Sequence, residues 1–260
     1  RGVLKNGARE STADHMMLVQ YNAIRVNGKA ISQVSDTICT EEVFRLYLND
    51  QFLTELVASP QQLEELGAGF VVCEGLAEQV DAVSMDGNEI QVCARITGDI
   101  QWELRSSASA GLRRAPRKVE SSLTIEPQAV RRIRQAIESE AWRKTGGLHC
   151  SVLFMSDQPI VRSNDVGRHN TIDKVVGYAL LNDLDLGACV LGCSGRQPAG
   201  MVTKAANAGI PIIVSKAATT DKGILTAEQT GVTLICFARD DRFTIYTHPH
   251  RVRGIVTETA

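Results

Sequence analysis

Two rhythms of apolar residues divide this chain. From Met17 to about Arg95, apolar and polar residues alternate in short runs separated by Asn27-Gly28, Asn49-Asp50 and Asp86-Gly87. A period of two gives a strand one apolar face, and these dipeptides accept the positive φ of a tight turn, so the segments predict antiparallel hairpins. A helix interrupts them in SPQQLEELGAGF: Ser59 is expected to cap it, Pro60 to open it, and Gly67 or Gly69 to end it. Residues 1–17 are polar and aperiodic and predict a loose arm.

After about residue 123 the rhythm changes. EPQAVRRIRQAIESEAWRKTGG carries Val130, Ile133, Ile137 and Ala141 on one helical face, and Gly146-Gly147 ends it. The runs HCSVLFM, GACVLGC, IPIIVS, VTLICFA and FTIYT then alternate with helical segments. Short apolar runs between helices predict a largely parallel, helix-covered sheet. The fold class is α/β, α+β overall: a hairpin-rich domain at 1–105, a mobile basic linker loop at 106–122, and an α/β domain at 123–260. The stretch 104–122 holds Arg105, Arg113, Arg114, Arg117 and Lys118 with no acid between Glu103 and Glu120. It reads either as a solvated connection or as a loop that closes over an anion.

Composition narrows the classes. A net charge of -2 over 260 residues argues against a nucleic-acid binder. No run approaches the ~18 apolar residues of a membrane span, and no signal peptide is read at the start. The seven cysteines form no C-x-x-C pair, which predicts reduced thiols and a cytoplasmic setting.

Polar residues gather where the predicted strands run into helices. Ser194-Gly195-Arg196 follows ACVLGC, Lys216 to Thr220 follow IPIIVS, and Ala238 to Arg242 follow VTLICF. Asp165, Arg168, His169 and Asn170 precede a helix whose apolar stripe is Val175, Val176, Ala179 and Leu180. Open α/β sheets bind ligands beyond the carboxyl ends of their strands, where free amides and arginines suit phosphate. These clusters therefore predict a phosphorylated ligand, against a helix-capping and salt-bridge network for Arg168 and His169 and an ordinary turn at Ser194. Walker A and G-x-G-x-x-G are absent, as are the zinc-deaminase signature and G-x-S-x-G. No metal held directly by the protein is expected.

The motifs SPQQLEELGAGFVVCEGL, TGGLH, DVGRHNTIDKVVGYAL, SGRQPAGMVTKAANAGIPIIVSKAATT and FARDDRFTIYTHPHR stand in the order seen in the formate dehydrogenase accessory sulfurtransferase family. From about residue 41 onward the chain resembles that family. The resemblance implies a cytoplasmic homodimer whose larger domain has the cytidine deaminase fold. It also implies sulfur taken from a cysteine desulfurase as a persulfide and delivered to bis-molybdopterin guanine dinucleotide, bound for formate dehydrogenase. Family cofactor contacts fall on Phe237, Ala238, Arg239, Asp240, Asp241 and Arg242; Ser194, Arg196, Arg168 and His169 join them from the strand-end pattern. The acidity of Asp240 and Asp241 is expected to weaken phosphate binding.

One departure matters. The family's Cys-x-x-Cys relay corresponds to SSASAGLRR, with Ser107 and Ala110 at the best-matching positions. Only a thiolate can accept and pass on sulfane sulfur. Either another thiol serves, with Cys193 and Cys150 as candidates, or the chain is a non-catalytic cofactor chaperone that has lost the relay.

Overall fold

The computed structural model describes residues 17–97, 102–105, 109–112 and 116–255. Residues 1–16 of the predicted arm, Ser107, Arg113 and Arg114 lie outside the described residues, while Met17 is buried. The chain begins with a two-stranded ribbon, β1 (Leu18–Asn27) and β2 (Ala30–Cys39). β3 (Glu42–Leu48), β4 (Gln51–Ala58), α1 (Leu63–Cys73), β5 (Ala82–Asp86) and β6 (Glu89–Cys93) follow and form a sheet of order β4-β3-β6-β5. The turns fall where expected: Asn49 and Asp50 take φ of 50° and 63°, and Gly28 and Gly87 take 60° and 57°. The β3–β6 pairing is parallel rather than antiparallel, because α1 crosses over between them. Phe44, Leu46, Leu48, Leu56 and Ile90 form the core beneath α1.

The larger unit begins with α2 (Pro127–Ile137), α3 (Glu140–Thr145), β9 (His149–Met155), β10 (Gln158–Asp165) and α4 (Arg168–Leu181). β11 (Cys189–Cys193), α5 (Ala199–Asn207), β12 (Ile212–Ser215), α6 (Asp221–Thr230), β13 (Thr233–Cys236) and β14 (Thr244–Ile245) complete it. Its strands lie in the order β10-β9-β11-β12-β13-β14, with β11, β12 and β13 parallel. Alternation along β11 sorts the two faces. Leu191 and Cys193 join the core under α4 and α5, while Val190 joins the one under α2. Gly192 lacks a side chain because a Cβ there would stand 2.7 Å from Ile133.

Three local expectations change. The helix predicted through residues 127–145 is broken at Ser139, whose hydroxyl accepts from the Trp142 amide and starts α3. Gly67 and Gly69 do not end α1; they lie buried inside it. A Cβ on Gly69 would stand 1.8 Å from the Asp173 carbonyl oxygen, and one on Gly177 1.8 Å from that of Glu65. Paired glycines thus let α1 and α4 touch backbone to backbone, joining the two sheets. The linker is not loop throughout: β7 (Trp102–Arg105) and β8 (Ser109–Leu112) pair, with Ala110 opposite Leu104.

Candidate functional site

The first residue of β9 lies beside the last residues of β10 and β11, so chain segments distant in sequence share one rim. Ser194, just past β11, accepts the Cys150 amide at 2.8 Å on its hydroxyl and donates its own amide to the Cys150 carbonyl at 2.9 Å. His149 Nδ1 lies 3.3 Å from the same hydroxyl. Gly195 leaves room for the Arg168 stem, since a Cβ there would meet Arg168 Cβ at 3.1 Å. Lys216, past β12, reaches Glu138 at 2.7 Å and stands 5.1 Å over the Trp142 ring. A hollow of about 220 Å³ opens between these groups, lined by Glu138, Trp142, Gly147, His149, Ser194 and Lys216.

Charge at this rim is set by burial. Desolvation, aided by the Arg168 cation, pushes His149 down; desolvation, Lys204 and Arg168 push His169 down to about 3. Both imidazoles are therefore neutral near pH 7, and the positive charge rests on Arg168 and Lys216. The hydrogen bond from Lys216 holds Glu138 below the usual carboxylate range. Buried Arg168 Nε and His169 Nδ1 have no hydrogen-bond partner.

The other polar residues before α4 do different work. Asp165 is fully buried and accepts from the Ser59 and Gly167 amides, from Asn170 Nδ2 and from Lys174 Nζ, the last at 2.6 Å. Lys174 also donates to the Ser59 carbonyl, and Asn170 to that of Val57. Ser59 is thus no helix cap but a tie between the two units, with Gln62 in the cap position. Deeper in, Lys204 pairs with Asp173 and Glu74, each at 2.8 Å. The salt-bridge network envisaged for this stretch exists, built on Asp165, Asn170 and Lys174 rather than on Arg168 and His169.

Among the strand-end residues the structure separates several roles. Arg239 donates to the Lys216 carbonyl at 2.7 Å, bringing the 237–242 turn to the rim. Phe237 is exposed at a φ of 53° and Ala238 is buried. Asp240 pairs with Arg134 at 2.8 Å and Asp241 with Arg131, so their charges are matched by arginines of α2. Arg196 and Arg242 are exposed at the same end of the sheet, without an ion pair among the described residues. Arg117 and Lys118 of the basic segment lie elsewhere. They line a hollow of about 690 Å³ with Asp185, Gly187 and Gly209, at the amino-terminal end of the parallel strands.

Cys150 and Cys193 are buried, and desolvation raises both thiols to about 12. A thiol so protonated is a poor nucleophile at neutral pH. Sequence reasoning passed over Cys39, which is partly exposed at the end of β2. Its sulfur would lie 2.7 Å from a Cβ on Gly147, a residue of the hollow. Glu138 and Trp142 were also missed; the break at Ser139 that aims them had no apolar signal. Among the described residues no group of three or more His, Cys, Asp or Glu is placed to hold a metal, and no helix is long and apolar enough to cross a membrane.

The fold and rim together define a class: a helix-covered α/β protein with a cation-bearing rim beyond its parallel strands. Its family follows. The chain belongs to the FdhD/NarQ family, whose sequence model matches residues 39–253. It is 33% identical to Protein FdhD of Methanocaldococcus jannaschii, over 89% of this chain and 97% of that one. It is also 33% identical to the protein named sulfur carrier protein FdhD of Methanothermobacter thermautotrophicus, over 90% of this chain and 98% of the relative. A crystal structure described as a formate dehydrogenase accessory protein from Desulfotalea psychrophila superposes with a TM-score of 0.78 at 23% identity, covering 91% of this chain and 99% of the other. That likeness bears on the fold.

Proposed function

We propose that this chain serves the maturation of formate dehydrogenase, holding bis-molybdopterin guanine dinucleotide at the rim and carrying sulfur to it from a cysteine desulfurase. It does so as a cytoplasmic homodimer. The observation that carries this reading is the pair of orphaned buried nitrogens, Arg168 Nε and His169 Nδ1, at the cation-bearing rim. Buried polar atoms are nearly always partnered, so orphans gathered at strand ends are what a bound polar ligand would satisfy. Arg168 suits a phosphate, and the Trp142 ring beside Glu138 suits the face and N–H edge of a guanine. The names of the relatives supply the sulfur-carrying role.

The sulfur step needs a thiolate on the carrier. It attacks the outer sulfur of the desulfurase persulfide, the donor S–S bond breaks, and the donor cysteine leaves as thiolate. With Ser107 and Ala110 at the loop positions and Cys150 and Cys193 buried, Cys39 is the thiol beside the hollow that can meet a donor. The second reading, a non-catalytic cofactor chaperone, is favoured by that same loss of sulfur at 107 and 110. Incubation with desulfurase and cysteine followed by intact-mass measurement separates them. The carrier gains one sulfur atom, which Cys39→Ser abolishes and transfer to cofactor consumes; an unchanged mass leaves the chaperone. A guanosine diphosphate titration tests the shared premise, and no binding would overturn both.

A further inference from the structure

The ribbon β1–β2 presents an unexplained surface. At its tip Val26 pairs across to Ile31, with Ile24 on the same face, and these three are 62%, 73% and 69% exposed. Towards the base that face turns polar, with Gln20 donating to Thr37 and accepting from Ser35. The opposite face carries the solvent-facing pair Arg25–Asp36 and, nearer the base, the exposed side chains of Val19, Tyr21 and Ile38. An isolated two-stranded ribbon is marginal in water, and bare strand edges with an apolar end invite a partner. The ribbon meets the rest of the chain chiefly at its base, where β2 touches α3.

A second bare apolar surface lies on the outer face of the smaller sheet. Val43 stands opposite Val57 and Tyr47 opposite Phe52, the two rings meeting edge to face at 5.7 Å. Val43, Phe52 and Val57 are 50%, 56% and 51% exposed, although the inner face of the same strands is fully buried. The Arg45–Glu55 pair lies between them.

We infer that the two surfaces cover each other between two copies of this chain: the ribbon tip of one copy seats on the outer β3–β4 face of the other, and the reverse. Each copy offers one tip and one seat, so a two-fold axis closes the assembly. The stalk, polar on the face that carries the tip residues, holds the tip away from the body, and the tip makes the contact. At about 3.4 Å per residue, two such contacts bury on the order of 1,000 Å², the lower bound for a specific interface. A second copy is the occupant because both complementary surfaces are present on one chain, unpartnered among the described residues. The inference rests on the dimeric part of the reading above and is independent of sulfur transfer.

Analytical ultracentrifugation of the full chain tests it. The wild type is expected to sediment as a dimer. The tip variant Ile24→Asp/Ile31→Asp and the seat variant Val57→Asp/Phe52→Asp are each expected to weaken association at least ~100-fold, with far-ultraviolet circular dichroism unchanged because the positions are exposed. Mixing the two variants restores one intact tip-and-seat contact, so a heterodimer should form where neither variant alone associates. A wild-type monomer overturns both this inference and the dimeric reading. A dimer that survives either variant overturns the surface alone. A mixture no more associated than its components overturns the exchange of arms.

Discussion

Two neighbouring sets of buried polar groups stand at the start of α4, and they differ in one respect. Every hydrogen-bonding demand of the Asp165 carboxylate is met, by Lys174, Asn170 and the amides of Ser59 and Gly167. Around Arg168 and His169 it is not, although these residues lie only three and four positions further on. A satisfied network spends its bonding capacity on holding two structural units together. An unsatisfied one retains capacity for a ligand. Residue type does not distinguish the two, since both sets mix charged and polar side chains.

The sharpest way to break the comparison is to remove Lys174. Lys174→Met leaves the Asp165 carboxylate buried without its counter-charge, and urea unfolding is expected to show a loss of about 3–5 kcal/mol. A loss below ~1 kcal/mol would mean that this half is not structural.

Arg168→Ala addresses the other half. It should weaken guanosine diphosphate binding by about 10- to 100-fold, the worth of a charged hydrogen bond, while changing stability by less than ~1 kcal/mol. Calorimetry on the same sample as the urea curve reads both. A reversed pattern, with stability lost and binding kept, would make Arg168 structural as well.

The pH dependence is read per unit of pH. His169 falls from 6.5 to about 3 in the folded protein, so the folded state binds fewer protons than the unfolded chain. Its contribution is complete above pH 6.5 and is lost as the pH falls toward 3. His169→Asn should therefore flatten the acid limb of the stability curve by on the order of 1 kcal/mol per pH unit. Denaturation midpoints taken across that range check the slope, and an unaltered slope would contradict the buried neutral imidazole.

The weakest effect is expected at the rim's outer edge. Asp240 and Asp241 pair with α2 arginines, yet their side chains are 72% and 83% exposed. Asp240→Asn/Asp241→Asn should cost under ~1 kcal/mol of stability and leave nucleotide affinity nearly unchanged. A marked rise in affinity would show that these acids repel the ligand.

The secondary elements were legible because they depend on near neighbours. Alternating apolar residues around Asn49-Asp50 required a hairpin, and the runs ending at Cys193, Ser215 and Cys236 required buried parallel strands. The strand-end position of Ser194, Lys216 and Arg239 followed from the same rhythm. Gly67 and Gly69 were misread because a glycine that ends a helix and one that admits a crossing helix look alike along the chain. Only the approach of α4 to within backbone contact tells them apart.

What the sequence determined by itself is the list of elements, the end of the sheet at which polar residues collect, and the absence of sulfur at residues 107 and 110. Tertiary structure decided which polar residues are spent and which are free, that Cys150 and Cys193 are sealed in, and that Cys39 comes to lie against Gly147. The reason is one of range. Helix and strand periodicity is set by residues a few positions apart, whereas burial and hydrogen-bond satisfaction are set by partners about a hundred positions away, as between Ser59 and Asp165.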